Sequence, residues 1–184
     1  MRRFCLFGTL LLLVAGLFFL WQNRFERSGE YPVFTLASLR ASSAPVPGSE
    51  WRETDQGLTI ALKVDDLHRN VVVRHSFPGL GPVDFVRVRF RVASKGLLPG
   101  LERWEDGRGM LEWHAPGDTS VENDPVFSTR HDLKSELTEL VMRPRNGPAV
   151  PTLRLENLGA AGEMQVSELE VVVLKEGWMW KAGR

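Results

Sequence analysis

FVRVRFRVAS, residues 85–94, is the stretch on which the fold turns. Val86, Val88, Phe90 and Val92 fall on one side of an extended chain, and Arg87, Arg89 and Arg91 on the other. Strict alternation with period two marks a half-buried strand, apolar toward a core and cationic toward water. The same pattern recurs on either side. GLTIALKV (57–64) sets Leu58, Ile60, Leu62 and Val64 on one face, and NVVVRHSF (70–77) is β-branched. MLEWH (110–114), PVFSTR (125–130), TELVMR (138–143), TLRLEN (152–157) and ELEVVVLK (168–175) follow, with Pro or Gly in nearly every gap. VFTLASL (33–39) reads as a further short strand, and LKSELTEL (133–140) has the spacing of a short turn of helix. Close-set short strands with Gly/Pro turns give an all-β reading, an antiparallel jelly-roll β-sandwich of about eight strands.

The N-terminus follows a different rule. After Arg2 and Arg3, no charge interrupts Phe4 to Trp21, a run that includes Leu12 and Phe18 and ends on an interfacial tryptophan. Its length approaches the roughly 20 apolar residues that span a bilayer. Its bulky end, Phe18-Phe19-Leu20-Trp21, differs from the small-residue site of a cleaved signal peptide. A single N-terminal transmembrane helix is therefore expected to precede the sandwich. The flanking arginines place the N-terminus in the cytoplasm and the bulk of the chain in the periplasm of a bacterial inner membrane. The chain then divides into cytoplasmic N-terminus, membrane helix and stalk (1–31), Pro/Ser-rich linker (32–50), β-sandwich (51–176) and a Trp-containing tail (177–184).

Composition narrows the function. The 184 residues carry 23 Lys+Arg against 23 Asp+Glu, a formal net charge of +0, so no field recruits nucleic acid. One cysteine, Cys5, rules out a disulfide within the chain and a thiolate metal cluster. The four histidines stand in no catalytic or zinc-binding motif, and no cofactor or enzyme activity is expected.

LRLENLGAAGEMQVSELEVVV (153–173) resembles the closing strands of carbohydrate-binding modules, the galactose-binding-like jelly rolls. The resemblance rests on Met164-x-Val166, the pair Ser167-Glu168, and then Leu169, Val171 and Val173. It extends over residues 57–175 and implies a sandwich that binds glycans in some members and docks onto protein in others. It often brings a structural calcium, whose acidic ligands this sequence does not place. The loop Asp118–Asp124 reads instead as a solvated turn. The change of parity between Val166 and Leu169 calls for a bulge.

Three groups of residues are candidate sites. The row Arg87, Arg89, Arg91 can grip anions or a protein partner, or face water against neighbouring carboxylates. Trp104, Glu105, Asp106 and His114 combine an aromatic face with hydroxyl acceptors suited to a sugar. Trp113, alternating with Leu111, reads as core. In the tail, Trp178, Met179 and Trp180 offer apolar surface after the last strand, fit for a partner or a membrane interface. The leading reading is a non-catalytic accessory subunit. It would meet the bilayer through its anchor and dock its periplasmic sandwich onto an integral-membrane partner in an energy-transducing or envelope-biogenesis complex. The alternative is a membrane-anchored glycan-binding module for envelope polysaccharide.

Overall fold

The computed structural model describes residues 13–18, 24–55 and 57–177. Two antiparallel sheets face each other. The larger contains β3 (Ser49–Thr54), β4 (Gly57–Val64), β11 (Ala161–Glu176), β6 (Phe85–Leu98) and β9 (Leu133–Met142) in that order. Two short strands, β1 (Phe25–Arg27) and β2 (Phe34–Thr35), also pair with β11. The smaller sheet runs β5 (Val71–Ser76), β10 (Val150–Asn157), β7 (Gly107–His114), β8 (Val121–Thr129).

The alternation of residues 85–94 is realised on β6. Val86, Val88, Phe90 and Val92 are buried against the smaller sheet, and the three arginines lie on the outer face of the larger one. Leu111, Trp113, Leu153 and Leu155 supply the opposing apolar layer. Trp113 is buried, its indole N–H donating to Asp124 Oδ2 at 3.1 Å. The bulge lies where the parity of β11 changes. Its register against β6 jumps from Ser167↔Arg91 to Glu170↔Arg89, with Glu168 at φ 50°. β11 opens on Gly162 at φ 104°, where a Cβ would lie 2.3 Å from the Gly96 carbonyl oxygen. Only glycine lets the two longest strands meet there.

The segment before residue 50 departs from the sequence reading. The expected stalk and linker are stitched into the sandwich. β1 and β2 extend the larger sheet along β11, and helix α1 (Leu36–Ser42) buries Leu36 and Leu39 in the core. Residues 33–39 are thus a strand end passing into a helix, started by Ser38, whose hydroxyl accepts from the Thr35 N–H at 2.8 Å. The helical spacing at 133–140 is overridden in the opposite direction. These residues form β9, because pairing with β6 over seven aligned positions from Val86 to Val92 outweighs local propensity. The expected membrane helix falls mostly outside the described residues, Phe4, Leu12 and Trp21 among them. Residues 13–18 are helical, with Phe18 exposed. Among the described residues, no helix is long and apolar enough to cross a membrane.

One core residue makes the fold pH-sensitive. His75 on β5 is 1% exposed, edge-on to Trp51 with centroids 5.7 Å apart. Its Nδ1 shares a hydrogen bond with the Ser43 hydroxyl. That hydroxyl donates to the Leu39 carbonyl at 2.6 Å, so the ring donates through Nδ1 and Nε2 is the bare nitrogen. Burial pushes the His75 pKa from 6.5 down to about 4. The folded value lies below the unfolded one, so this stability is complete above pH 6.5 and is lost as pH falls toward 4. The loss is on the order of 3 kcal/mol. His75→Leu should flatten that part of the stability profile in urea melts between pH 7 and 4. A variant that tracks the wild type throughout would show that another group carries the effect.

Candidate functional site

The outer face of the larger sheet is sunken at its centre, and strand register explains why. Ala61, Gln165 and Ala93 stand in one cross-strand row, and Thr59, Ser167 and Arg91 in the next. The short side chains of Thr59, Ser167 and Ala93, on three adjacent strands, leave the face low. Two adjoining depressions, of about 490 Å³ and 270 Å³, share Ala93, Ser135 and Gln165. The first adds Ser94, Lys95, Asp132, Leu133 and Lys134, and the second Thr54, Asp55, Thr59 and Ser167. This trough lies within the size range of small-ligand sites. It presents hydroxyls, an amide, ammonium groups and carboxylates, so donors and acceptors are both at hand.

Ion pairs flank the trough: Arg52 is the cross-strand neighbour of Thr59, and Arg91 that of Ser167. On one side Arg52 bonds Glu163 at 2.8 Å and Glu50 at 2.7 Å. The bond to Glu163, then that to Glu50, holds the Arg52 pKa above the usual arginine value. Burial works to raise the Glu163 pKa, but bonds from Arg52 and Gln165 bring it below the usual carboxylate range. On the other side Arg91 Nε reaches Glu168 Oε1 at 2.9 Å, and its Nη1 reaches Ser135 Oγ at 3.5 Å.

The row of arginines is divided in its fate. Arg91 pairs with Glu168 and reaches Ser135 at the edge of the trough. Arg89 stands opposite Glu139 on β9 and Glu170 on β11. Neither it nor Arg87 forms an ion pair among the described residues.

The sugar-site candidates are not assembled as one group. Trp104 is half exposed in the loop between β6 and β7. Glu105 closes its own turn, its Oε2 accepting from the Glu102 N–H at 3.1 Å. Asp106 is buried, turned toward Ser128 and 3.7 Å from Arg108 Nε. His114 lies at the opposite end of β7, about 24 Å along the strand from its start. Arg130 Nη1 donates to the Arg103 carbonyl at 3.0 Å, tying that loop to the turn from which Asp132 enters the trough. Trp178, Met179 and Trp180 lie outside the described residues.

The outer face of the smaller sheet carries residues that the sequence reading missed. Arg74, Glu112, Arg154, Glu156, Arg108 and Asp106 form a chain of alternating charge across β5, β10 and β7. Glu156 is fully buried and Glu112 nearly so. Burial opposes the Arg154 charge, yet its bonds to Glu112 and Glu156 leave its pKa raised. Every arginine in this chain of charges already holds a carboxylate, which marks it as scaffold rather than as a site.

No protein-family model matches the sequence, and no curated protein matches it. The structure is similar to a family 16 carbohydrate-binding module, with a TM-score of 0.54 at 7% identity, covering 75% of this chain and 98% of that one. It is also similar to part of an arabinose-bound MgGH51 α-L-arabinofuranosidase, with a TM-score of 0.50 at 12% identity, covering 82% of this chain and 25% of that one. At such identities the likeness is one of fold. The chain has the jelly-roll β-sandwich fold of carbohydrate-binding modules, as its closing strands already suggested.

Proposed function

We propose that this chain is a non-catalytic glycan-binding module, held at a membrane surface on the exported side by its apolar run Phe4–Trp21, with the trough as its sugar subsite. The observation that carries the reading is the trough itself. Its floor is short and its lining is rich in groups that pair with hydroxyls. Gln165, Ser135, Thr59 and Ser167 offer donors and acceptors without a net charge, and Lys95, Lys134, Asp55 and Asp132 stand at the margins. None of the lining residues is aromatic, so recognition inside the trough rests on hydrogen bonds. Trp104, exposed in the loop between β6 and β7, offers a separate stacking face. The fold adds support, because a structural neighbour is named as a carbohydrate-binding module. The accessory-subunit role has narrower support in Arg87 and Arg89, which form no ion pair among the described residues.

Affinity electrophoresis of the full chain in mild detergent, through gels holding soluble neutral polysaccharides, tests the proposal. At least one polysaccharide should retard the chain. Gln165→Leu with Ser135→Ala should weaken that retardation roughly tenfold, equivalent to about 1.4 kcal/mol. Trp104→Ala should weaken it less. If Trp104→Ala abolishes retardation while the trough variant keeps it, the subsite belongs to the loop.

A further inference from the structure

We infer that the gap between β4 and β2 in the larger sheet is a second sugar subsite, built for a residue that carries a carboxylate, a uronate. This subsite rests on the glycan-binding reading of the chain and adds the class of sugar to it. Strand register creates the gap. β4 flanks β11 as far as Ser167↔Thr59, and β2 takes over at Glu170↔Thr35. Glu168 and Leu169, in the bulge between, have no partner residue on β4, β2 or β6. A cavity of about 320 Å³ opens there, near the lower end of the range for small-ligand sites.

The lining divides by chemistry. Leu36 and Ala37 from α1, Leu58 from β4 and Leu169 from β11 give apolar walls, suited to the C–H face of a pyranose ring. Arg89 lines the cavity from β6, and Glu168 and Glu170 line it from β11. Glu168, at φ 50°, is taken by Arg91, whose Nε reaches its Oε1 at 2.9 Å. A non-glycine residue holds that conformation at a cost, of a kind that ligand sites commonly carry. Arg89 is left over. It stands opposite Glu139 and Glu170 in the register, yet forms no ion pair or side-chain hydrogen bond among the described residues. Glu170 is likewise without an ion pair among them, and both side chains are half-buried.

A cation and an anion, neighbours across two strands and not bonded to each other, call for a ligand that serves both. A uronate does. Its carboxylate accepts two N–H bonds from the Arg89 guanidinium, and its ring hydroxyls donate to the Glu170 carboxylate. A simple anion serves only Arg89, and Glu170 repels it. A neutral hexose serves both, but holds Arg89 through weaker uncharged acceptors. Arg89, Arg91 and Ala93 share the outward side of β6, and Arg89 is about 13 Å along the strand from Ala93. The cavity and the trough therefore lie along one strand, within reach of one oligosaccharide.

Titration calorimetry of the full chain in mild detergent tests this, with oligomers of glucuronate, galacturonate and mannuronate, each beside its methyl ester. Esterification removes the charge and keeps the hydroxyls. At least one acid form should bind roughly tenfold more tightly than its ester, and added salt should narrow the difference. Arg89→Gln should remove that preference, whereas Gln165→Leu with Ser135→Ala should weaken acid and ester alike. If no acid form binds more tightly than its ester, or if the preference survives Arg89→Gln, the uronate subsite is overturned, while retention by neutral polysaccharides still upholds the glycan-binding reading. A chain that binds no oligomer and is retarded by no polysaccharide overturns that reading, and the uronate subsite with it.

Discussion

Val88→Asp should leave no folded sandwich, whereas Arg89→Ala, one residue along the same strand, should melt close to the wild type. Val88 is fully buried, between β11 and β9 and beneath the smaller sheet. A carboxylate there has no cation within the apolar layer. Burying one unpaired costs several kcal/mol, a large part of the roughly 5–15 kcal/mol that holds a domain together. Arg89 faces outward, half-buried and outside any ion pair among the described residues, and a surface charge contributes about 0–1 kcal/mol. Circular dichroism melts of the full chain in detergent read both outcomes. If Arg89→Ala proved as disruptive as Val88→Asp, the assignment of the two faces of β6 would be wrong.

Arg154→Ala should destabilise the protein by roughly 3 kcal/mol, far more than a surface arginine would. Arg154 bridges Glu112 and Glu156, two carboxylates with little or no contact with water. Its loss leaves Glu156 dependent on Arg108 alone and Glu112 on the more exposed Arg74. Removing both partners is gentler, because no charge is stranded. Arg154→Leu with Glu156→Leu should therefore recover at least half of the loss in urea unfolding. A single variant that unfolds at the wild-type midpoint would show that the buried charges contribute nothing net.

What could be read from the sequence follows from the range of the interactions involved. The alternation of residues 85–94 is local, and it named both faces of β6. The change of parity between Val166 and Leu169 is local too, and the bulge at Glu168 lies where it predicted. Residues 133–140 misled, because their spacing suits a helix while their partners on β6 lie 39 residues (Ser94 for Leu133) to 52 residues (Val88 for Leu140) earlier in the chain. Leu36 and Leu39 misled in the other direction. Three apart, they form one face of α1, and Ser38 gives the helix its start. The trough was invisible because its floor is shared. Thr59, Ala93 and Gln165 come from three strands, and only the register of β4, β11 and β6 brings them together. The alternating charges of the smaller sheet were hidden for the same reason. His114 was grouped with Trp104 from sequence proximity, yet an entire strand separates them.

The most direct test of the central claim is a glycan array read with the full chain in mild detergent, beside Ala93→Ile with Gln165→Leu. Those two changes raise the trough floor with apolar bulk on outward-facing strand positions, where stability should hold. The account predicts that the wild-type chain is retained by a restricted set of glycans and that the filled trough retains none of them, with melting temperatures alike. Retention of the same glycans by both chains, or of none by the wild type, would contradict it.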